Sequence, residues 1–278
     1  MRAARKERVV QFGLRWLGGA VIVLFLVGCG ESGSTLTVTG SSTIAPLMAE
    51  LSERYETETG IQVDVQSGGS GRGMGDVRQG LADLGMVSRA LKADEQDLDG
   101  HLIGRDGIAI IVHRDNPVRA LNDDQIRAIY TGKMQRWDAG STEGRPITVV
   151  HKAQGRSTQE LFLAYFQLEN SQVQPDRVIG ENQQGIKAVA GDPFAIGYVS
   201  IGTAIYEADN GTAIRLLPLE GKPASLAVLA QGDYPLAREL NLVTHGEMSQ
   251  PVADFLAFVA RTDMADVYHD YYFLPAAE

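Results

Sequence analysis

The sequence predicts an α/β fold in which two lobes face each other across a ligand cleft. Short β-branched or alternating apolar segments are separated by amphipathic helical segments through most of the chain. Beyond its N-terminal leader the chain has about 250 residues, which is enough for two modest lobes. Three turns rich in glycine, serine and threonine each precede a helical segment, and in open α/β sheets ligands bind at the carboxyl ends of the strands, where such turns lie.

The N-terminal segment has the pattern of a lipoprotein export signal. Basic residues precede an apolar run at 17–27 that is too short to span a bilayer. The run ends in Leu26-Val27-Gly28-Cys29, which resembles a bacterial lipobox, and this cysteine is the only one in the chain, so an intramolecular disulfide is excluded. We predict a signal peptide at 1–28, a lipid on Cys29 and a flexible tether at 29–35. The alternative is an ordinary signal peptide that ends beside a buried cysteine.

The net charge excludes several classes of partner. The full chain carries −10, and removal of residues 1–28, which hold five basic residues and one acidic residue, leaves −14. A protein this acidic is a poor nucleic-acid binder. Its long-range field also repels small anions, so an anion site here has to gain its affinity from local hydrogen bonds.

The first half of the chain predicts a βαβαβ order, which implies a parallel sheet with right-handed crossovers. A further buried strand at 108–113 ends at the turn signal Asp115-Asn116-Pro117. The predicted elements are a strand at 36–39, a helix at 46–59 stopped by Gly60, a strand at 61–65, a helix with Met74, Val77 and Leu81 on one face, and a strand at 84–87.

The second half restarts the same pattern. We predict a helix at 122–129 capped by Asn122-Asp123-Asp124, a strand at 146–150, a helix that begins with a capping box of Ser157 and Glu160, a strand at 195–199, and a C-terminal amphipathic helix with Val252, Phe255, Leu256 and Val259. The turn at 115–117 suggests a lobe boundary. We therefore assign residues 36–113 and 200–278 to lobe 1 and residues 114–199 to lobe 2.

The three turns have the composition of anion-binding loops. They are Gly40-Ser41-Ser42-Thr43, the run at 67–73, and Gly155-Arg156-Ser157-Thr158. The first N–H groups of a helix lack intrahelical partners and carry the positive end of its dipole, so a turn without bulky side chains exposes them to an oxyanion. Serine and threonine hydroxyls add donors, and Arg72, Arg89 and Lys152 lie nearby in sequence. These features predict a single anion pocket built from several loops.

Catalytic patterns are incomplete in this sequence. Gly68-Gly69-Ser70-Gly71 approaches a nucleophile elbow, but Arg72 stands where that motif needs glycine. The sequence has no P-loop or dinucleotide-binding pattern, and its five histidines are scattered without metal-ligand spacing. We therefore predict a binding protein rather than an enzyme, with no cofactor and no metal. An exported phosphohydrolase is the enzymatic alternative, because an anion pocket could also hold a phosphoester.

Three stretches resemble the phosphate-binding protein family of the bacterial phosphate-specific ABC importer. They are the run at 39–47, the run at 68–89 and Phe194-Ala195-Ile196-Gly197-Tyr198-Val199, and the similarity extends over nearly the whole chain after the leader. The resemblance implies a two-lobed periplasmic-binding-protein fold of type II that closes on inorganic phosphate. It also implies delivery to an ABC permease and its ATPase by an exported, lipid-anchored monomer in the periplasm or at the cell surface.

The resemblance also suggests which residues bind the ligand. By position, Thr43 and the backbone of Ile44 hold the anion from the first loop, and Ser70 holds it from the second. Ser42 adds a hydroxyl. The phosphate-binding residues we predict are Ser42, Thr43, Ile44, Ser70, Arg89, Arg156, Ser157 and Thr158.

Two positions depart from the family pattern. Arg89 stands where well-known members have an aspartate that accepts the proton of hydrogen phosphate, and Lys152 with Gly155-Arg156-Ser157-Thr158 replaces an arginine followed by Gly-Ser-Gly-Thr. Without the aspartate, selection of phosphate over sulfate or molybdate stays open, because only a protonated anion gives a carboxylate a hydrogen bond.

Each predicted ligand has a structural alternative. The serines and threonines could serve as helix N-caps, and the arginines could be solvated surface charges. We expect Lys152, at a strand end beside a loop, to be exposed. A lipoprotein that senses or scavenges phosphate without an importer would have the same sequence features.

Overall fold

Strands and helices alternate along the chain as the sequence predicts. The computed structural model describes residues 35–138 and 140–276, so the predicted signal peptide, Cys29 and nearly all of the tether lie outside the described residues. The strands are β1 Leu36–Gly40, β2 Val63–Ser67, β3 Leu84–Val87, β4 Leu98–His113, β5 Thr148–Lys152, β6 Arg177–Ile179, β7 Ala195–Ser200, β8 Ile214–Leu217, β9 Ala237–His245 and β10 Leu274–Pro275. The helices are α1 Ala45–Thr59, α2 Ser70–Arg78, α3 Asp123–Tyr130, α4 Ser157–Tyr165, α5 Asn182–Ala190, α6 Ile201–Asp209, α7 Leu226–Ala230, α8 Gln250–Val259 and α9 Ala265–Asp270.

The strands form one mixed sheet in the order β2-β1-β3-β9-β4-β7-β5-β6. The predicted parallel arrangement is confirmed for β1 with β2 and β3, and β5 is likewise parallel to β6 and β7. The centre of the sheet is antiparallel, because β9 pairs with both β3 and β4, and β4 pairs with β7. Of β4, the sequence pattern predicts only the second part, and no pattern predicts β9.

Two large hydrophobic clusters divide the core. Strand β4 contributes residues to both, and the chain passes from one cluster to the other again between Leu236 and Leu240, at the start of β9. The first cluster contains residues between 36 and 103 and between 240 and 273, and the second contains residues between 108 and 236. The change of cluster falls inside β4 and at the start of β9, whereas the lobe boundaries predicted from the sequence lie at residues 113 and 200. The division into two lobes, with those boundaries, stays a prediction.

Helix α2 packs on the sheet through glycine. A Cβ on Gly73 would come within 2.7 Å of the carbonyl oxygen of Thr39 in β1, a distance that real Cβ atoms essentially never show. The absence of a side chain brings the N-terminus of α2 close to the ends of β1 and β3. The expected contact of Leu81 with this face is wrong, because α2 ends at Arg78 and Leu81 is exposed.

Local signals at the helix ends are partly confirmed. Gly60 ends α1 in the left-handed conformation at a φ of 75°, and Asn122 forms a capping box with Gln125 at the start of α3. The capping box expected at the start of α4 is absent. The N-cap there is Arg156, and the Glu160 side chain instead accepts hydrogen bonds from two basic side chains. In the described part of the chain, no helix is both long enough and apolar enough to cross a membrane.

Candidate functional site

The three glycine-rich turns meet at one small polar pocket. Turn 1 (residues 40–44) joins β1 to α1, turn 2 (67–69) joins β2 to α2, and turn 3 (153–156) joins β5 to α4. All three turns follow the carboxyl ends of parallel strands, which is where the sequence analysis expected the ligand. The pocket is lined by Ser41, Ser42, Thr43, Gly69, Ser70, Ser88, Lys152, Arg156, Ser157, Thr158 and Gly180.

Backbone hydrogen bonds hold the turns together. The N–H groups of Gly68 and Gly69 both donate to Gly40 O at 2.7 Å, which joins turn 2 to turn 1. Gly71 N–H donates to Gly155 O at 3.1 Å, which joins α2 to turn 3. Gly69 has a φ of 93°, and a Cβ there would lie 2.6 Å from the Arg156 side chain, so this position requires glycine.

Most of the predicted ligands are brought together. Of the eight predicted phosphate-binding residues, six line the pocket with their own atoms: Ser42, Thr43, Ser70, Arg156, Ser157 and Thr158. Ile44 is the N-cap of α1 and its side chain is fully buried in the first hydrophobic cluster, so only its backbone is available for binding, as the resemblance implies.

Arg89 does not line the pocket, which corrects the expectation that its charge would hold the anion. Its buried guanidinium forms a double salt bridge with Glu95, with Nη2 at 2.7 Å from Oε1 and Nη1 at 2.8 Å from Oε2. The Nε atom lies 3.1 Å from Glu160 Oε2. A buried guanidinium has to be paired, and these two carboxylates already pair it. The hydrogen bonds from Arg89 hold the pKa of Glu95 down to about 2, although burial alone would raise it.

The pocket contains a buried lysine that the sequence analysis expected to be exposed. Lys152 ends β5 and is only 2% exposed, and its Nζ donates to Asn182 Oδ1 at 2.8 Å. Among the described residues, no carboxylate lies within salt-bridge distance of this ammonium group. Burial first, and the positive charge of Arg238 second, lower the pKa of Lys152 to about 7, so a neighbouring anion would stabilise the protonated form.

Arg238 of β9 contacts three hydroxyls of the pocket, although no signal in the sequence predicted this position. Its guanidinium forms a buried salt bridge with Asp106 of β4, with Nη2 at 2.7 Å and Nε at 3.1 Å from Oδ2. The same guanidinium donates to the hydroxyls of Thr43 at 3.0 Å, Thr158 at 2.9 Å and Ser88 at 3.4 Å. These hydroxyls lie in turn 1, in the residue that follows β3, and in the first turn of α4. No motif surrounds Arg238 in the sequence, and only the pairing of β9 with β4 brings it beneath the pocket.

Glu181 lies at the edge of the pocket and joins two of its turns. Its Oε1 accepts from Arg156 Nη1 at 2.6 Å, and its Oε2 accepts from the Ser67 hydroxyl at 2.5 Å. Burial opposes ionisation, but hydrogen bonds from Ser67, Arg156 and Ser42 keep the pKa of this carboxyl below its ordinary value. Glu181 thus neutralises Arg156, whereas the charge of Lys152 is left for a ligand.

The Ser157 hydroxyl has an unused hydrogen-bonding capacity. Ser157 begins α4 and is 2% exposed, and its Oγ has no hydrogen-bond partner. Among the described residues only two other buried side-chain oxygens share this property, those of Thr39 and Ser52, and neither lines the pocket. An unsatisfied buried hydroxyl costs about 1–3 kcal/mol. Its position beside Lys152 is consistent with a partner that a bound ligand supplies.

This arrangement has the chemistry of a small-oxyanion site. Helix N-termini, several hydroxyls and one ammonium group without a carboxylate face a common space, and hydrogen bonds to an ionised acceptor are stronger than neutral ones. Across residues 35–138 and 140–276, no group of three or more histidine, cysteine, aspartate or glutamate side chains is placed to hold a metal ion.

Comparisons with known proteins agree with this chemistry. The sequence matches the PBP superfamily domain over residues 29–265. It is 27% identical over 241 residues to the phosphate-binding protein PstS of Bacillus subtilis (strain 168). The aligned region covers 84% of this chain and 78% of that protein. A shorter match of 36% identity over 105 residues, 37% of this chain and 36% of the other, is to the phosphate-binding protein PstS 2 of Streptococcus pneumoniae.

Two solved structures have the same fold. A candidate phosphate ABC transporter substrate-binding protein from Clostridium perfringens, with bound phosphate, superposes with a TM-score of 0.80 at 24% identity and covers 87% of this chain and 100% of its own. An ABC-type phosphate transport receptor from Vibrio cholerae superposes with a TM-score of 0.70 at 25% identity and covers 86% and 99% of the two chains.

Proposed function

Because this chain belongs to the PBP superfamily, we propose that it is a solute-binding protein that captures inorganic phosphate and delivers it to the permease of an ABC transporter. The single observation that carries the proposal is the pocket at the three turns, where donor groups and a lysine without a carboxylate partner surround the unsatisfied hydroxyl of Ser157. The names of the relatives point to the same ligand.

Capture takes place by closure around the anion. Turns 1 and 2 follow strands of the first hydrophobic cluster, and turn 3 follows a strand of the second, so each cluster contributes part of the pocket. A phosphate held by Thr43 and Ser70 on one side and by Ser157 and Thr158 on the other links the two parts. The closed form then offers the permease a surface that the open form lacks.

The proposal includes export and attachment to a membrane. A lipid on Cys29 would tether the monomeric binding domain in the periplasm or at the cell surface, close to the permease and its ATPase. Replacement Cys29→Ser should release the protein from the membrane fraction and abolish incorporation of radiolabelled fatty acid. Lack of label in the wild-type protein would contradict the lipid anchor without affecting the binding proposal.

Titration calorimetry on the chain from residue 30 onward tests the ligand. We expect phosphate to bind with one site per chain, and sulfate, arsenate and molybdate serve as competing candidates. The pair Ser157→Ala and Ser52→Ala provides a matched comparison, because both remove a buried hydroxyl without a partner but only Ser157 lines the pocket. Loss of affinity only in Ser157→Ala would locate the site, and equal affinities in all variants would refute it.

Two other functions give different results in the same experiments. A site for another tetrahedral oxyanion would bind sulfate or molybdate more tightly than phosphate, and this candidate is favoured by the fact that no carboxylate lines the pocket among the described residues. An exported phosphohydrolase would release phosphate from a phosphoester, so product formation from p-nitrophenyl phosphate would favour an enzyme.

A further inference from the structure

All five N–H groups of the Arg238 guanidinium are engaged within the protein. The Nε group and one N–H of Nη2 donate to Asp106, and the second N–H of Nη2 donates to Thr43. The two N–H groups of Nη1 donate to Thr158 and Ser88. A guanidinium has five donors and no acceptor. Arg238 therefore has no hydrogen left to donate directly to a bound anion, although it lies beneath the pocket.

The hydroxyls that Arg238 contacts can only be acceptors in these bonds. Thr43 Oγ1 accepts from Arg238 Nη2 and also from Asn182 Nδ2 at 3.1 Å, which occupies both of its lone pairs. The Asn182 amide is oriented by Lys152, which donates to its oxygen and so turns its nitrogen toward Thr43. The hydroxyl hydrogen of Thr43 is thus left over, and it has no acceptor among the described residues.

The same direction of donation recurs around the pocket. Ser41 Oγ accepts from the N–H of Thr43, and Ser70 Oγ accepts from the N–H of Ser88. Thr158 Oγ1 accepts from Arg238, and within the part of the chain that the structure describes its hydrogen has no acceptor either. N–H groups of the protein therefore donate to these hydroxyl oxygens, so the hydroxyl hydrogens remain available to donate to a ligand in the cavity.

From this pattern we infer that Arg238 is a positioning residue that fixes the Thr43 and Thr158 hydroxyls as donors toward the bound oxyanion. The inference rests on the proposed function, because it concerns how the same pocket holds phosphate. Without a donor behind it, a hydroxyl is free to rotate and donate elsewhere, and an oxyanion then meets a lone pair instead of a hydrogen. Preorganised donors avoid this reorientation when the ligand binds.

The position of Arg238 in the sheet supports this role. Arg238 on β9 is directly opposite Asp106 on β4 in the antiparallel register. Asp106 lies in sequence between Ile103 of the first hydrophobic cluster and Ile108 of the second, and Arg238 lies between Leu236 of the second and Leu240 of the first. Asp106 is itself fixed by the Ser200 hydroxyl at 2.8 Å and the Gly202 N–H at 3.2 Å. The guanidinium is therefore held in place through β9, β4 and the N-terminus of α6. It contacts pocket hydroxyls in turn 1 and in α4, which follow strands of the first and the second hydrophobic cluster.

A double-mutant cycle tests whether Arg238 acts through a hydroxyl. We would measure phosphate affinity for Thr158→Val in the wild-type background and in a background with Arg238→Met and Asp106→Asn, which removes both buried charges together. In the wild-type background Thr158→Val should weaken binding about tenfold or more, the value of one hydrogen bond to a charged acceptor. In the Arg238→Met background the same change should weaken binding less than about twofold, because the hydroxyl is no longer oriented.

A second buried arginine pair provides the control. The background with Arg89→Met and Glu95→Gln also removes a buried ion pair, but Arg89 contacts no pocket hydroxyl. The Thr158→Val loss should therefore stay at about tenfold or more there. If the Arg238→Met protein does not fold, Arg238→Lys replaces it. Lysine keeps the charge that pairs with Asp106 but lacks the planar guanidinium that donates to Thr43 and Thr158 at once, so Thr158→Val should again weaken binding less than about twofold.

The outcomes separate the inference from the proposed function. Equal losses for Thr158→Val in the wild-type and Arg238 backgrounds, with phosphate still bound, would overturn the role of Arg238 and leave phosphate binding intact. A wild-type protein that binds sulfate but not phosphate would overturn the proposed ligand. The cycle measured with sulfate would then decide the role of Arg238 by the same criterion.

Discussion

Anion binding should be coupled to protonation of Lys152. The lysine has its pKa lowered from 10.5 to about 7 because it is buried and near Arg238, which corresponds to about 5 kcal/mol against the charged form in the empty pocket. A bound dianion reverses this preference. At about pH 8, above this pKa, most Lys152 side chains are neutral before binding, so we expect uptake of up to about one proton per anion.

Calorimetry in buffers of different ionisation enthalpy measures this uptake directly. The variant Lys152→Met should bind phosphate about tenfold to a hundredfold more weakly, as expected for loss of a charge-assisted hydrogen bond, and it should show no proton uptake at about pH 8. Lys222→Met, which removes an exposed lysine, is the control and should behave like the wild type. Uptake that persists unchanged in Lys152→Met would refute the argument, because the proton would then go to another group.

The same lysine has a consequence for the empty protein. Its folded pKa lies below its unfolded value, so between about pH 7 and 10.5 the unfolded chain binds more protons than the folded chain. The free energy of unfolding should therefore rise with pH through this window for the wild type and rise less for Lys152→Met. Denaturant titrations at several pH values without phosphate measure the difference.

The remaining predictions concern stability and packing. Ser157→Ala should weaken phosphate binding by about 1.5–3 kcal/mol, the value of one hydrogen bond to a charged acceptor. It should leave the empty protein as stable or more so, because it removes an unsatisfied buried hydroxyl, and a drop in melting temperature without loss of affinity would contradict this. Arg89→Met should destabilise the fold by about 3–5 kcal/mol, because it leaves Glu95 buried without its partner. The folded fraction of this variant should keep its phosphate affinity, and a large loss of affinity in calorimetry would show that Arg89 takes part in binding. Gly73→Ala should reduce soluble yield and melting temperature, because its Cβ would overlap the backbone of β1, and a wild-type melting curve would show that α2 can shift.

The sequence predicted the pocket well where the chemistry is local. Glycine, serine and threonine between a strand and a helix define a helix N-terminus by their own backbone and hydroxyl properties, so turn 1, turn 2 and turn 3 could be identified without tertiary information. Their convergence followed from the parallel order of the strands. Ser70 and Thr158 were placed in one pocket on this basis, and the structure brings them together.

Charged residues were predicted poorly because their roles depend on partners distant in sequence. Arg89 looked like a pocket residue, but Glu95 and Glu160 pair it elsewhere. Lys152 looked exposed because it ends a strand, yet α5 covers it and supplies Asn182 as its partner. Arg238 gave no signal at all, since its importance comes from an antiparallel partner 132 positions away in the chain.

The first part of β4 and all of β9 were not predicted, again because their formation depends on a partner distant in sequence. Periodicity identifies a buried run such as 108–113, but the first part of β4 contains Asp99, Gly100 and Gly104 and lacks a continuous apolar pattern. Its pairing with β9 forms it as a strand. The hydrophobic clusters accordingly change inside β4 and at the start of β9, away from the surface turn signal on which a predicted lobe boundary rests.

The central position of β9 determines the order in which the chain can fold during synthesis. The strand separates β3 from β4 in the sheet, and the first hydrophobic cluster needs residues 240–273 to be complete. While the ribosome has made only the first 236 residues, β1 to β3 have no neighbour on that edge and the first cluster lacks α8. Long-range pairing of this kind delays folding until the C-terminal segment emerges. For the export that we propose for this chain, the delay would keep the nascent polypeptide unfolded until a translocation channel can accept it.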